Sequence, residues 1–468
     1  MHNPWCSSRG SITLVALLLA AAMGISLASY LALCRQSLLL STRNQQITQA
    51  RRLAEGGLEL ALWKLNQNFP TPPATGTTSM GNGVTGTVTT MVTYPANPAL
   101  DTPTITATAT VSVAGLGNFT KILTATTKPA PLFANAISVL NCGVPPYLSI
   151  PAGTIIDSWN SDPDQDYNVT AGTPAVAYSF TPGTTSNYAA IIAAPSIRLD
   201  GNTTNGGVTI NGYAATFGDL INYTILDQIK GPATPALTPI DTARVSKSAY
   251  VPNFTVQAPA GPSISWIDLP ANAAWGASQT IGTANGPTEY YKSKTNEPTM
   301  DIDPNNNGED LVLNGSQFLY VNGPAVIVVN ENFEMRDNSK IIITTNGRLE
   351  IYVRNNVVIQ GMAGFENLTK EPKNLALFCT SEYSNNFSFT YSTNTTDPFY
   401  GVLYSADPNQ PMYFTVSPNF YGAIWAAFTP RLSGPNLRIH YDTALQYLPK
   451  NWFKGVTTPF IIVQLTES

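Results

Sequence analysis

Residues 318–359 read FLYVNGPAVIVVNENFEMRDNSKIIITTNGRLEIYVRNNVVI, and this stretch decides the fold of most of the chain. Five runs of four to six residues, Phe318–Val321, Ala325–Val329, Lys340–Thr345, Arg348–Val353 and Asn356–Ile359, are rich in β-branched and aromatic side chains. Such runs, broken by residues that favour turns, read as strands. Asn322-Gly323 is one break, and the same turn chemistry recurs upstream at Asp200-Gly201-Asn202, Asn205-Gly206-Gly207 and Asn211-Gly212. No helical period of any length appears from Ala134 onward. Short strands this closely spaced suit a solenoid or a sandwich.

An internal repeat favours the solenoid. Phe399-Tyr400-Gly401-Val402-Leu403-Tyr404-Ser405-Ala406 recurs as Phe420-Tyr421-Gly422-Ala423-Ile424-Trp425-Ala426-Ala427, offset by 21 residues. A period of about 20 residues corresponds to one coil of a parallel β-helix. The expected fold is therefore mainly β with one long N-terminal α-helix, the β part a right-handed parallel β-helix, with a β-sandwich as the alternative.

Composition supports an exported β-protein. Charged residues are 11% of the 468, where about a quarter is usual, while aromatics reach 10%. The Ile, Val, Tyr and Phe runs exclude general disorder. The net charge of -5 offers no basic surface for phosphate backbones, so nucleic acid is not an expected partner.

The helix is read from the N-terminus. Ser11 to Cys34 is an apolar run of 24 residues without a formal charge. As a helix it would extend about 36 Å, enough to cross a hydrocarbon core of about 30 Å. It is longer than a secretory signal's apolar region, and bulky Leu33 precedes Cys34 where lipid attachment needs a small residue. Beyond it, Ile47, Ala50, Leu53, Ala54, Gly57, Leu58, Ala61, Leu62 and Leu65 recur at three- and four-residue steps, an amphipathic continuation. One helix over about 12–66 is expected, ended by Pro70-Thr71-Pro72-Pro73. From Thr71 to Pro129, alternating Thr and Val predict a small sheet on that helix.

Two short motifs carry a family resemblance. Arg9-Gly10-Ser11-Ile12-Thr13-Leu14-Val15 looks like the end of a prepilin leader, and Gln49-Ala50-Arg51-Arg52-Leu53-Ala54-Glu55-Gly56-Gly57-Leu58 resembles the segment after the membrane helix of PilX-like minor pilins. The resemblance covers about 65 residues. It implies cleavage between Gly10 and Ser11, single-pass placement in the inner membrane, and an ectodomain in the periplasm or at the cell surface within a filament. It also implies other pilins or pseudopilins as partners of the helix. Val15 stands where major pilins carry a glutamate, which implies a subunit for filament initiation or the tip rather than the shaft. Residues 134–446 resemble the β-helical domains that follow such N-termini, on Ile156-Asp157-Ser158-Trp159-Asn160-Ser161, the Phe-Tyr-Gly repeats and Ile439-His440-Tyr441-Asp442-Thr443-Ala444-Leu445.

The expected organisation is a leader at 1–10, the helix at 11–69, a small sheet at 70–130, the solenoid at 131–447 and a tail at 448–468. The expected function is a minor pilin-like component of a type IV pilus or related type II secretion filament, in assembly, initiation or adhesion. A membrane-anchored carbohydrate-binding protein or a polysaccharide-degrading β-helix enzyme is the alternative, with surface glycans as partners.

Candidate site residues are few. Asp303, Asn305, Asn307 and Gly308 open a Ca²⁺-loop pattern, with Asp301 and Asp310 as further oxygen donors, but Asn314 occupies the twelfth position in place of a bidentate glutamate. Beyond Ca²⁺ no cofactor is expected. Cys142 and Cys379 could pair in an oxidising compartment. His2 and His440 are the only histidines, so a hydrolytic triad has one possible base outside the leader, and the chain is not expected to be an enzyme. Asp157, Asp162 and Asp164 are the carboxylates a glycosidase would need. Tyr167, Tyr178, Tyr188, Tyr290, Tyr291, Tyr383 and Tyr391 are the aromatics a sugar-binding face would use.

Overall fold

In the computed structural model the described residues are 9–66, 74–81, 84–94, 102–143, 146–161, 189–216, 221–231, 240–246, 256–259, 267–268, 278–282, 289–292, 310–380, 389–393, 397–415, 419–434, 436–448, 452–456 and 459–468. The protein is mostly β with one long N-terminal helix. The chain divides into a first unit, residues 1–129 with 460–468, and a second, residues 130–459.

The helix of the first unit runs from Arg9 to Asn66. Its course follows the change in its side chains. Ile12, Leu17, Leu18, Met23, Ile25 and Leu31 are exposed, whereas Ala50, Ala54, Leu58, Ala61 and Leu65 are buried at the steps expected of one helical face. That face lies on five antiparallel strands ordered Ala74–Gly81, Val84–Thr93, Thr104–Val113, Gly117–Pro129 and Phe460–Glu467. Strand periodicity sets the contact: Ile105, Ala107, Ala109 and Val111 are buried and the alternate residues are not. Gly57 marks the closest approach, because a Cβ there would lie 2.5 Å from Val88 Cγ2. Gly56, by contrast, has open space around it.

Residues 448–468, expected to be a tail, instead supply the fifth strand. Phe460–Glu467 pairs antiparallel with Gly117–Pro129, and Phe460 is only 4% exposed. Asn66 fixes it to the last helical residue, its Oδ1 accepting from Phe460 N at 2.6 Å and its Nδ2 donating to Phe460 O at 3.3 Å. Glu467 meets Lys121 at 3.0 Å and Arg51 at 3.6 Å, and the Lys121 ammonium holds its carboxyl below the usual range. Because Pro129 and Phe460 are register partners, the second unit is an insertion between two neighbouring strands of the first.

In the second unit the chain visits three parallel sheets in rotation. Leu311–Leu313, Phe318–Val321 and Pro324–Val329 are followed by Phe333–Met335, Lys340–Ile343 and Arg348–Val353, each pairing with its predecessor in the same sheet. Val357–Gly361, Gly364–Asn367 and Leu375–Cys379 repeat the cycle. Equivalent side chains therefore stack. Ile327, Ile351, Leu377, Leu403 and Ile424 are successive register partners, all fully buried. Burying each such side chain stabilises by about 1.5–3 kcal/mol. The 21-residue repeat is one step of this ladder: Phe399 pairs with Phe420, Tyr400 with Tyr421 and Gly401 with Gly422.

A uniform coil is not the whole of it. Asn419–Phe428 gives its first half to Arg438–Asp442 and its second half to Ile137–Asn141. These lead through Ile155–Trp159 and Ala190–Ala194 to Thr209–Thr216, so six parallel strands pair in a closed circuit. The rungs from the start of the unit thus stack beyond those from its end. Every ladder between the described strands of this unit is parallel, which is not the pairing of an antiparallel sandwich.

The largest sheet is buried on both faces, and its strands read as continuous apolar runs for that reason. Its outer ladder of Tyr352, Phe378, Tyr404 and Trp425 lies beneath two crossing segments, 256–258 and 452–456. Phe453 meets Phe378 edge-on at 5.3 Å, and Val256 N donates to Tyr404 Oη at 3.4 Å. Buried Glu350 ties the strap down: its Oε2 accepts from Lys454 N at 2.8 Å and from Tyr352 Oη at 2.7 Å, and Gly455 N donates to Tyr352 Oη at 2.7 Å. Arg348 supplies the counter-charge at 2.5 Å from Glu350 and lies 4.5 Å above the Trp452 ring.

Candidate functional site

The feature with the plainest functional geometry is the helix. Ile12–Asn66 contains a window of mean hydropathy 2.2, none of it buried, and is long and apolar enough to cross a membrane. Side chains of this size exposed on all sides are stable in hydrocarbon, while the amphipathic half is covered by the sheet. The bond between Gly10 and Ser11 lies in the first turn of the helix backbone, three residues before the first of the exposed leucines.

Of the Ca²⁺-loop residues, Asp301, Asp303, Asn305 and Asn307 lie outside the described residues. Asp310 is described, and its Oδ1 accepts from Asn332 N at 2.8 Å. Burial pushes its carboxyl up to about 6. Asn332 in turn accepts from Asn356 Nδ2 at 2.7 Å, so Asp310 heads a ladder of turn side chains that closes successive rungs. Among the described residues no three His, Cys, Asp or Glu side chains group as metal ligands.

Cys142 and Cys379 are both free, contrary to the expected disulfide. Cys379 is buried in the ladder between Val353 and Ser405, where its Sγ donates to Asn355 O at 3.1 Å, and burial raises its thiol well above the ordinary value. Cys142 is half-buried, with Sγ 4.0 Å from Ser196 O.

A polar constellation that sequence reasoning did not assemble joins the two ends of the second unit. His440 and Asp157 are register partners on adjacent strands, and Nδ1 lies 2.5 Å from Asp157 Oδ1. The imidazole is 3% exposed, stacked on Tyr421 at 4.4 Å, and Tyr421 is stacked on Tyr400 at 4.5 Å. Trp159 closes the group edge-on to Tyr421 at 5.7 Å. Two residues along the same strand, Asp442 accepts from Ser161 N at 3.0 Å, Ser161 Oγ at 2.6 Å and Ala444 N at 3.1 Å, and burial pushes its carboxyl up to about 6. His440 and Asp157 are 283 residues apart in sequence, so only the ladder register could have paired them.

This group clasps two stretches of backbone. Thr443 Oγ1 donates to Trp159 O and Tyr441 Oη to Phe133 O, fixing the same seam. Asp162 and Asp164 lie outside the described residues, as do Tyr167, Tyr178, Tyr188, Tyr383 and the side chain of Tyr291. Tyr290 and Tyr391 are buried, the latter stacked on Phe414 at 5.7 Å, so neither belongs to an exposed sugar-binding face.

Residues 306–448 match the family described as "Domain of unknown function (DUF7305)", less than half of the chain. No curated protein matches. Among solved structures, the competence-associated pilin ComZ from Thermus thermophilus is 10% identical, with 90% of this chain and 97% of that chain covered and a TM-score of 0.20. A score that low does not establish a shared fold.

Proposed function

We propose that the protein is a minor pilin-like subunit of a type IV pilus or related type II secretion filament. Its helix would be held in the inner membrane before assembly, with the ectodomain in the periplasm or at the cell surface. The observation that carries this reading is the division of one helix into an apolar half exposed on all sides and an amphipathic half seated on a five-stranded antiparallel sheet. An exposed apolar half with a packed continuation can exchange lipid for the helices of neighbouring subunits without refolding the rest. In this reading other pilins or pseudopilins are the partners of Ile12–Leu40.

The second unit is read as a parallel β-helix carried for assembly or surface contact rather than catalysis. Its stacked rungs make a rigid body from short repeats, each burying the face of its neighbour. The His440–Asp157 pair serves that stacking, since both groups are buried on adjacent strands.

In cells of the source organism, the protein is expected in the filament fraction sheared from the surface, and a Gly10→Glu variant is expected to stay in the membrane fraction. Immunoblots of both fractions check this. Membrane retention of the unaltered protein in cells with abundant filaments would count against the proposal.

A further inference from the structure

The sheet of the first unit has a second face, turned away from the helix, with a composition unusual for a solvent face. Thr77, Thr87, Thr110 and Thr120 are directly opposed across four strands, forming one row of threonines. Thr108 lies at the centre of the middle strand, and threonines occupy most of the remaining outward positions. Among the described residues, none of the outward positions within Val84–Thr93, Thr104–Val113 and residues 118–126 is charged, and Lys128 stands only at a corner.

Charged residues are 11% of the whole chain, and the cores of interfaces are depleted of them relative to the rest of a surface. Five strands about 4.8 Å apart, each of about ten residues rising about 3.4 Å, present roughly 800 Å². That is comparable to the area of about 800 Å² that each partner contributes to a standard stable interface. The chemistry also selects the partner. A threonine hydroxyl both donates and accepts, and its methyl packs against methyl, so the face is complementary to itself. Self-complementarity is the requirement of an isologous contact, and a face without charge neither repels its own copy nor attracts an ionic partner.

We propose that the threonine face of the first unit is an isologous interface that joins two copies of this chain. The contact does not depend on the filament reading, because it uses neither the apolar half of the helix nor the second unit. Near the two-fold axis the two copies of Thr108 approach one another.

Sedimentation equilibrium of the full chain in density-matched detergent tests this. The unaltered protein is expected to be a dimer, and Thr108→Glu and Thr108→Lys are each expected to weaken dimerisation at least tenfold. Mixing the two variants is expected to restore it, which a misfolded variant cannot do. A monomeric unaltered protein, a dimer indifferent to both substitutions, or a loss that mixing does not restore would each overturn the proposal.

Discussion

Deleting Phe460–Ser468 is expected to unfold the sheet of the first unit while the rungs of the second unit keep their protection. The strand is at the end of the sequence but closes a core formed near its beginning. Phe460 packs in the cluster of Ala54, Leu58, Ala61, Leu65, Ile105 and Leu123. Truncating a core phenylalanine costs about 3–5 kcal/mol, a large part of the 5–15 kcal/mol available to a whole domain. Deletion also strips Gly117–Pro129 of a ladder partner and removes both bonds from Asn66. Hydrogen exchange of the full chain in detergent checks it: peptides within residues 104–129 should lose protection and those within residues 340–379 should retain it. The converse construction follows from the register of Pro129 with Phe460. Replacing residues 130–459 by a short turn should leave the first unit folded.

The second large effect is expected at Phe453. It is 2% exposed and packs edge-on against both Phe378, at 5.3 Å, and Phe133, at 6.2 Å, where the strap crosses the outer aromatic ladder. Phe453→Ala should destabilise the second unit by about 3–5 kcal/mol, because the hole opens beneath a segment with no other large buried anchor among residues 452–456. Tyr352→Phe should cost less, about 1–3 kcal/mol, since it leaves Gly455 N without its acceptor and removes one of the two bonds to Glu350 Oε2, the other coming from Lys454 N. The two losses should fall short of additive, because each loosens the same strap. Urea unfolding of both single variants and the double variant measures all three quantities.

How much of this was legible depends on where each residue finds its partner. Phe318–Val321 and Arg348–Val353 are found where their sequences place them, because each is a β-branched and aromatic run bounded by turn residues of its own. Phe333–Met335 was missed: three residues beside Glu331 and Arg336 are too short to show a period, and its pairing with Leu311–Leu313 and Val357–Gly361 makes it a strand. The Phe-Tyr-Gly repeat was legible as stacking because the offset of 21 is itself the register.

The C-terminal strand, the strap at 452–456 and the His440–Asp157 pair were not legible for one reason. Phe460 meets Asn66 across 394 residues, Gly455 meets Tyr352 across 103 and His440 meets Asp157 across 283. No local period encodes such pairings. The fork at Asn419–Phe428 was hidden too, because its ten residues show nothing of the two separate partners along one edge.

The mature N-terminus tests the proposed pilin-like anchor most directly. Mass spectrometry of membrane fractions from cells with and without a prepilin peptidase should find a chain beginning at Ser11 only where the peptidase is present. A chain beginning at Met1 in both, or one cut beyond Ala32, would contradict the account.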